Sequence, residues 1–344
     1  MARKILKRKI VPIDPVASGR VCDLVKNLAT CSFQGRSMAY ALDVWEAMVR
    51  DRDCFRVMSL AGAMVPAGMG LIVIRLIEAK LVDAIICTGA TLSHDLCNTV
   101  AKEQQAHFLG DEFADDEILR NEAINRIYDT YLPEAAFQSA EHALVKIYDR
   151  LKFETLAPGQ RALSTASFCR QIGMQLPGRS ILTAAARHGV SLFVPAISDS
   201  ELGLNVVSAG VRGEIPGGGR IEFNTMRDVE TFASMVVKKK KAGLVSIGGG
   251  VPRNWAQQVY PYLNMKVMDQ RVNADGYHYG VRITTDRPEF GGLSGCTISE
   301  SKSWGKYENQ AVEASVICDA TIALPLLSTA LLQRLESKRA HSRA

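Results

Sequence analysis

From about residue 54 the chain alternates short apolar runs with amphipathic stretches of helical period, and few architectures accommodate that rhythm. RVMSLAGA reads as a strand and MGLIVIRLIEAKL as a helix. VDAIICT is a short β-branched run, hence a buried strand, and TLSHDLCNTVAKE reads as a helix that starts directly after a Thr-Gly turn. Parallel strands need long crossover connections, and helices supply them. The expected class is therefore α/β, doubly wound, with a mainly parallel sheet and helices on both faces, a Rossmann-like arrangement.

Later segments keep the rhythm. EILRNEAINRIYDTYL and EAAFQSAEHALVKIYDRL carry helical spacing and are separated by Pro133, so residues 117–190 are expected to be mainly helical. Ser164 and Ser180 are N-cap candidates for two further helices. SLFVPAI returns to strand character, and GEIPGGGRIEFN reads as a loop because of its Pro and glycines. GLVSIGGGVPRNWAQQV is strand, glycine turn and helix; GYHYGVRITT and EASVICD are strands; ATIALPLLSTALLQRLESK is a closing helix. The expected division is a basic arm with helices over 1–50, a catalytic α/β domain over 51–336 and a flexible tail over 337–344.

Composition narrows the function classes. With 344 residues and 47% hydrophobic content the chain can bury a sizeable core. No apolar run reaches the roughly 18 residues of a membrane span, and the basic N-terminus lacks the apolar core of a secretory signal. The eight cysteines form no CxxC pair, and no Cys/His cluster has metal-ligand spacing, so buried thiols in a reducing, cytoplasmic setting are expected and no metal. The run Lys238–Lys241 follows TMRDVETFASMVV and has no aromatic residues interleaved, so it reads as a helix end and not as a nucleic-acid surface.

Two strand ends carry glycine turns, Thr88-Gly89-Ala90 and Gly248-Gly249-Gly250. Glycine lets backbone approach a phosphate or ring, and ligands of open α/β sheets bind at the carboxyl ends of strands. Neither turn is a full GxGxxG, and each alone is a weak signal. Asp199, in PAISDSELG, either accepts ribose hydroxyls or caps a turn; Asp319, opening DATIALPLL, reads first as a helix cap.

ESKSWGKYENQA holds an acid, a tryptophan and a lysine within seven residues. A lysine beside an aromatic wall and a carboxylate can be partly desolvated, which lowers its pKa and makes it nucleophilic. Glu300 could anchor an ammonium and Trp304 could stack over an alkyl ammonium chain. On spacing alone, however, Lys306 reads as a solvated surface lysine.

The segment SWGK, with a Glu six residues before the Lys, resembles the catalytic segment of the deoxyhypusine synthase family. TGATLSHD, LGDEF…LRNEAINRIYDTYLP, LFVPAISDSELG, SIGGGVPRNW, GVRITT and ICDATIALPLL follow in the family's order, so the likeness covers about residues 50 to 335. The resemblance implies a redox-neutral cycle. NAD oxidises spermidine to an imine, the lysine takes over the four-carbon aminobutyl fragment, an acceptor amine displaces the lysine, and the stored hydride reduces the new imine. By position it implies Lys306 as covalent nucleophile and Glu300 and Trp304 as polyamine ligands. It implies an NAD site lined by Thr88, Gly89, Asp199, Gly249, Gly250, Thr285, Ser294, Asp319 and Ala320. In the family that site lies between subunits of a homotetramer, so a homo-oligomer is implied too.

The departures concentrate at the substrate end. A family histidine used in dehydrogenation falls at Asn254, which cannot act as a base near neutral pH. Family acids fall at Leu204 and near Phe290 and Leu293; in the cofactor turn a family Glu falls at His94, and the family's Ser/Asn-rich turn after the first strand reads Gly62-Ala63 here. Fewer carboxylates bind a polycation less well, so a small-molecule amine or polyamine of lower charge is expected, with a small-molecule acceptor favoured over a protein lysine. The expected activity is aminoalkyl transfer. The alternatives are an amine oxidoreductase or lyase that releases the imine, and a non-catalytic NAD-binding member of the family.

Overall fold

Strand and helix boundaries follow the polarity of the chain closely. The computed structural model describes residues 8–101, 105–155, 161–215, 220–265 and 274–341. Helices α1 (Val21–Asn27) and α2 (Phe33–Arg50) precede β1 (Cys54–Leu60), α3 (Gly70–Glu78), β2 (Ala84–Cys87) and α4 (Gly89–Val100). There follow β3 (Phe108–Leu109), α5 (Asp116–Asn121), β4 (Ile124–Ile127), β5 (Thr130–Pro133) and α6 (Glu134–Tyr148). Then come β6 (Glu154–Thr155), β7 (Arg161–Leu163), α7 (Thr165–Gln175), α8 (Ile181–His188), β8 (Ser191–Phe193) and α9 (Glu201–Val211). Next are β9 (Glu222–Phe223), α10 (Thr225–Val236), β10 (Lys241–Ile247), α11 (Gly250–Gln257) and α12 (Val259–Asn264). The chain closes with β11 (Tyr277–Thr284), α13 (Ile298–Ser303), β12 (Tyr307–Ile317) and α14 (Ala320–His341).

Two compact units result. The first takes the chain up to Arg56, Lys239–Gly249 and Tyr260 onward; the second takes Val57–Lys238 and Gly250–Val259. In the first unit β10, β11 and β12 pair in parallel and in sequence order, Gly243 opposite Tyr279 and Thr284 opposite Ile317. Helix α2 lies so close to β10 that a Cβ on Gly243 would stand 2.4 Å from Met48 Sδ, and the same helix buries Leu42, Trp45 and Met48. In the second unit β1, β2 and β8 pair in parallel, also in order, with β2 buried along its whole length. Each ladder has the pattern of one half of a doubly wound sheet, and the class is the expected α/β one. Two small sheets, β3-β5-β4 and β6-β7-β9, accompany the second.

Ser164 and Ser180 both cap as expected, Ser164 for Ser167 N and Ser180 in a reciprocal capping box with Thr183. The segment EILRNEAINRIYDTYL departs from expectation. It is one short helix, α5, and then the hairpin β4–β5. Ala123 and Tyr128 both take positive φ, 54°, which stops the helix and turns the hairpin, and the β-branched Ile124, Ile127 and Thr130 suit the paired strands. Helix α10 ends at Val236, so the lysine run follows it, but Lys241 already belongs to β10, where its Nζ meets Asp51 at 2.9 Å. Part of the GEIPGGGRIEFN loop lies outside the described residues, and its end forms β9. Helix α14 continues through His341, into the segment expected to be a tail.

Candidate functional site

Sequence-predicted residues gather at three places. The first is the carboxyl end of β2 and β8. Thr88 caps α4 by accepting from Thr91 N, and Ser200 caps α9 by accepting from Gly203 N. The two helix starts touch: a Cβ on Gly89 would lie 2.1 Å from Ser200 Oγ, so only glycine admits this approach. Ser93, which the sequence reading passed over, ties them further, donating to Gly89 O at 3.1 Å and accepting from Leu202 N at 2.9 Å. Asp199 is exposed beside this junction. Asp95, fully buried on the next turn of α4, accepts from Ile181 N and Leu182 N and so caps α8. Burial pushes its carboxyl up to about 6, against those two N–H bonds. Also in this unit, α11 begins at Gly250, whose φ is +65°, and carries Asn254 half-buried beside Trp255, which packs on Phe193 and Phe232.

The second place is the carboxyl end of β10, β11 and β12. Gly249 is buried, and a Cβ there would stand 2.4 Å from Ser294 Cα. Gly248 N donates to Ile283 O, which ties the glycine turn to β11. The loop carrying Ser294 is pinned from below by Arg282, buried inside β11, whose Nη2 donates to Ser294 O at 2.8 Å and Gly295 O at 2.9 Å. A lone arginine within the apolar run GVRIT was the available signal for it. Thr285 is exposed at the end of β11. Asp319 accepts from Thr321 N at 2.7 Å and from its hydroxyl, which holds the carboxyl below its usual range and caps α14 at Ala320.

The third place is the start of β12. Lys306 is 8% exposed. Its backbone is fixed on both sides, N to Ser301 O at 3.1 Å and O from Tyr277 N at 3.0 Å. Beside it Tyr260 meets Tyr277 edge-on and Tyr277 meets Tyr307 at a tilt, with ring centroids 4.9 and 5.5 Å apart, and Gly276 (φ +111°) lets the two strands close up. Lys306 Nζ lies 5.8 Å from the centre of the ring of Trp304, an exposed residue. Glu300 sits exposed in α13, its N–H capped by Thr297.

The structure thus joins Gly89 with the Asp199–Ser200 turn, Gly249 with Ser294, and Lys306 with Trp304. It does not join Lys306 with the strand-end set of its own unit. β11 and β12 are parallel and pair from Tyr277–Tyr307 to Thr284–Ile317, so Lys306 and Asp319 lie at opposite ends of the ladder, on the order of 20 Å apart. Among the described residues no Cys/His/Asp/Glu group could hold a metal, and no helix is long and apolar enough to cross a membrane.

The family model for deoxyhypusine synthase matches residues 23–331. The chain belongs to the deoxyhypusine synthase family. It is 35% identical over 329 residues to "Probable deoxyhypusine synthase 2" of Methanosarcina mazei, covering 94% of this chain and 90% of that protein. It is 37% identical over 308 residues to the protein of the same name from Archaeoglobus fulgidus, covering 89% and 96%. A crystal structure from Entamoeba histolytica that bears the deoxyhypusine synthase name shares the fold, with TM-score 0.59 at 15% identity over 93% of this chain and 96% of that one. Family membership bears out the resemblance read from SWGK and the ordered motifs.

Proposed function

We propose that this family member is an NAD-dependent transferase that moves an aminobutyl-type group from a polyamine or related amine to an acceptor amine through an imine on Lys306. The observation that carries this reading is Lys306 itself, a buried lysine held by two backbone hydrogen bonds beside an exposed indole. Its burial sets it apart from a solvated surface lysine and supports the reactive role.

The residues at the strand ends suit a dinucleotide. Gly89 and Gly249 stand where a side chain would collide with the backbone or side chain opposite, the start of α4 favours an anion, and Asp199 and Asp319 offer exposed carboxylates to hydroxyls. Thr88, Gly250, Thr285, Ser294 and Ala320 complete the proposed contacts. When bound, NAD accepts and returns a hydride. The chain's own part is substitution: Lys306 Nζ forms a carbon–nitrogen bond to the oxidised donor carbon and the donor's other amine departs. The acceptor amine then repeats the exchange and frees the lysine. Glu300, Trp304 and Asn254 face the substrate amine, with Trp304 stacked over its alkyl chain.

The separation of Lys306 from the strand-end set in one copy supports a shared site, with the lysine of one copy serving the cofactor residues of another in a homo-oligomer, a tetramer by family analogy. Leu204, Phe290 and Leu293 are all exposed, so the positions where the family has acids present apolar surface and favour a less charged amine than spermidine. A small-molecule acceptor in the cytoplasm fits this better than a protein lysine.

The test is borohydride trapping with NAD and a panel of amines, read by peptide mass spectrometry. An adduct of aminobutyl mass on Lys306 is the expected outcome. Adduct-free Lys306 in folded, NAD-stabilised protein overturns the covalent route.

A further inference from the structure

A cavity of about 550 Å³ opens in the second unit, lined by Glu141, His142, Val145 and Lys146 of α6 and by Arg212 and Glu214 at the end of α9. Residues 141, 145 and 148 follow one another at helical spacing, so Tyr148 shares the face of α6 that lines it. Tyr148 is 1% exposed, and its hydroxyl has no hydrogen-bond partner. The charges that act on this hydroxyl are those of Glu141, Arg212 and Glu214, three of the cavity walls, so the phenol points at the cavity floor. Helical side chains lean toward the N-terminus, which carries the ring back from residue 148 toward 145 and 141. Burial, reinforced by Glu141, raises the pKa of the phenol far above its usual range, so it stays a proton donor. A buried hydroxyl left without a partner is costly, and a bound group that accepts from it removes that cost.

The walls present both signs of charge. Arg212 Nη2 donates to Glu141 Oε1 and, at 2.8 Å, to Glu214 Oε2, which leaves the second oxygen of each carboxylate without a bond among the described residues. Lys146 makes no hydrogen bond or ion pair among them either. Helices α6 and α9 both end here, at Asp149 and Arg212, and their carbonyl ends add partial negative charge. Two formal cations and two formal anions cancel, so the walls as a whole match neither a bare anion nor a bare cation. We propose that this cavity binds a small zwitterion of the amino-acid class: its carboxylate accepts from the Tyr148 hydroxyl and Lys146 Nζ, and its ammonium donates to the free oxygens of Glu141 and Glu214. The site is separate from the one proposed above. The 11 residues of α9 set it roughly 16 Å from the Gly89–Ser200 junction at ~1.5 Å per residue, and Lys306 belongs to the first unit.

Thermal unfolding of the full-length protein, titrated with glycine, β-alanine and γ-aminobutyrate, tests this, since the three space the two charges progressively. At least one is expected to raise the melting temperature saturably. Propylamine and acetate, which carry one charge each, are expected to bind at least about tenfold more weakly, because each forfeits charge-assisted hydrogen bonds. Tyr148→Phe is expected to raise the melting temperature of the ligand-free protein, since it removes a buried hydroxyl without a partner, and to weaken binding of the zwitterion at least about tenfold. Lys146→Met, at an exposed position, is expected to fold normally and to weaken binding by a similar factor. Lys306→Arg is expected to leave the response intact, which separates this cavity from the proposed transferase site. No saturable response to any of the three, an equal response to propylamine or acetate, or a response undiminished in both Tyr148→Phe and Lys146→Met overturns the proposal. So does a response lost in Lys306→Arg, or a ligand-free Tyr148→Phe that melts lower than the parent, since its hydroxyl is then bonded without a ligand.

Discussion

The two ends of the β10–β11–β12 ladder are built on different principles. At the carboxyl end the backbone does the work: Gly249 closes on Ser294, buried Arg282 holds the loop by its carbonyls, and Thr285 and Asp319 stay open to solvent. At the amino end side chains do it: three tyrosines pack ring against ring, Gly276 fits tightly against the backbone at Tyr307, and beside them lies a buried lysine. The first end suits a ligand gripped by many weak backbone contacts. The second suits one atom held still for covalent chemistry. Parallel pairing keeps them apart within one copy.

The largest expected effect breaks the amino end alone. Lys306→Arg keeps the cation but cannot form the imine, and transfer is expected to fall at least about a thousandfold, ~4 kcal/mol in the barrier, with NAD-dependent thermal stabilisation retained. Near-normal turnover by this variant returns the oxidoreductase reading. Tyr277→Ala removes the middle ring of the tyrosine cluster and is expected to cost about 3–5 kcal/mol in urea denaturation, as aromatic-to-alanine changes in cores do. A loss under about 1 kcal/mol shows that the tyrosine cluster is not a core element of this end of the ladder.

At the other end, Gly249→Ala drives a methyl group into Ser294. The cost is expected at about 1–3 kcal/mol, and the rise in melting temperature on adding NAD shrinks or disappears while borohydride-accessible Lys306 persists. An unchanged NAD response places the cofactor elsewhere. The smallest effect on folding belongs to Trp304→Ala. Its ring is 67% exposed, so stability is expected to move by no more than about 0.5 kcal/mol while KM for the amine rises. A raised KM with unchanged kcat marks the indole as a binding wall; a lost kcat makes it part of the nucleophile's setting.

Much of the fold was legible locally. The strands β1, β2, β10 and β11 are apolar runs buried along most of their length, and such runs declare themselves. Ser164 and Ser180 cap because their hydroxyls reach N–H groups three residues on, a purely local event. The hairpin β4–β5 was not legible, because Ala123 and Tyr128 adopt a backbone conformation that their side chains do not advertise. β12 was only half legible. Its second half, EASVI, is an apolar run, but its first, YENQAV, is polar and largely exposed where pairing with β11 slips between Tyr277 and Tyr279. That slip hid the start of the strand, and with it the fact that Lys306 stands at the amino end of the ladder.

The sequence by itself determined the α/β class, the glycine turns, the caps and the chemical types at the site, because period, propensity and motif act over a few neighbouring residues. Tertiary structure alone decided which of those residues share a strand end, that Arg282 is spent on loop carbonyls, and that Lys306 lies at the far end of the ladder from Asp319. Each of these depends on groups distant in sequence brought to within about 3 Å, and hydrogen bonds of that length leave no periodic trace in a chain.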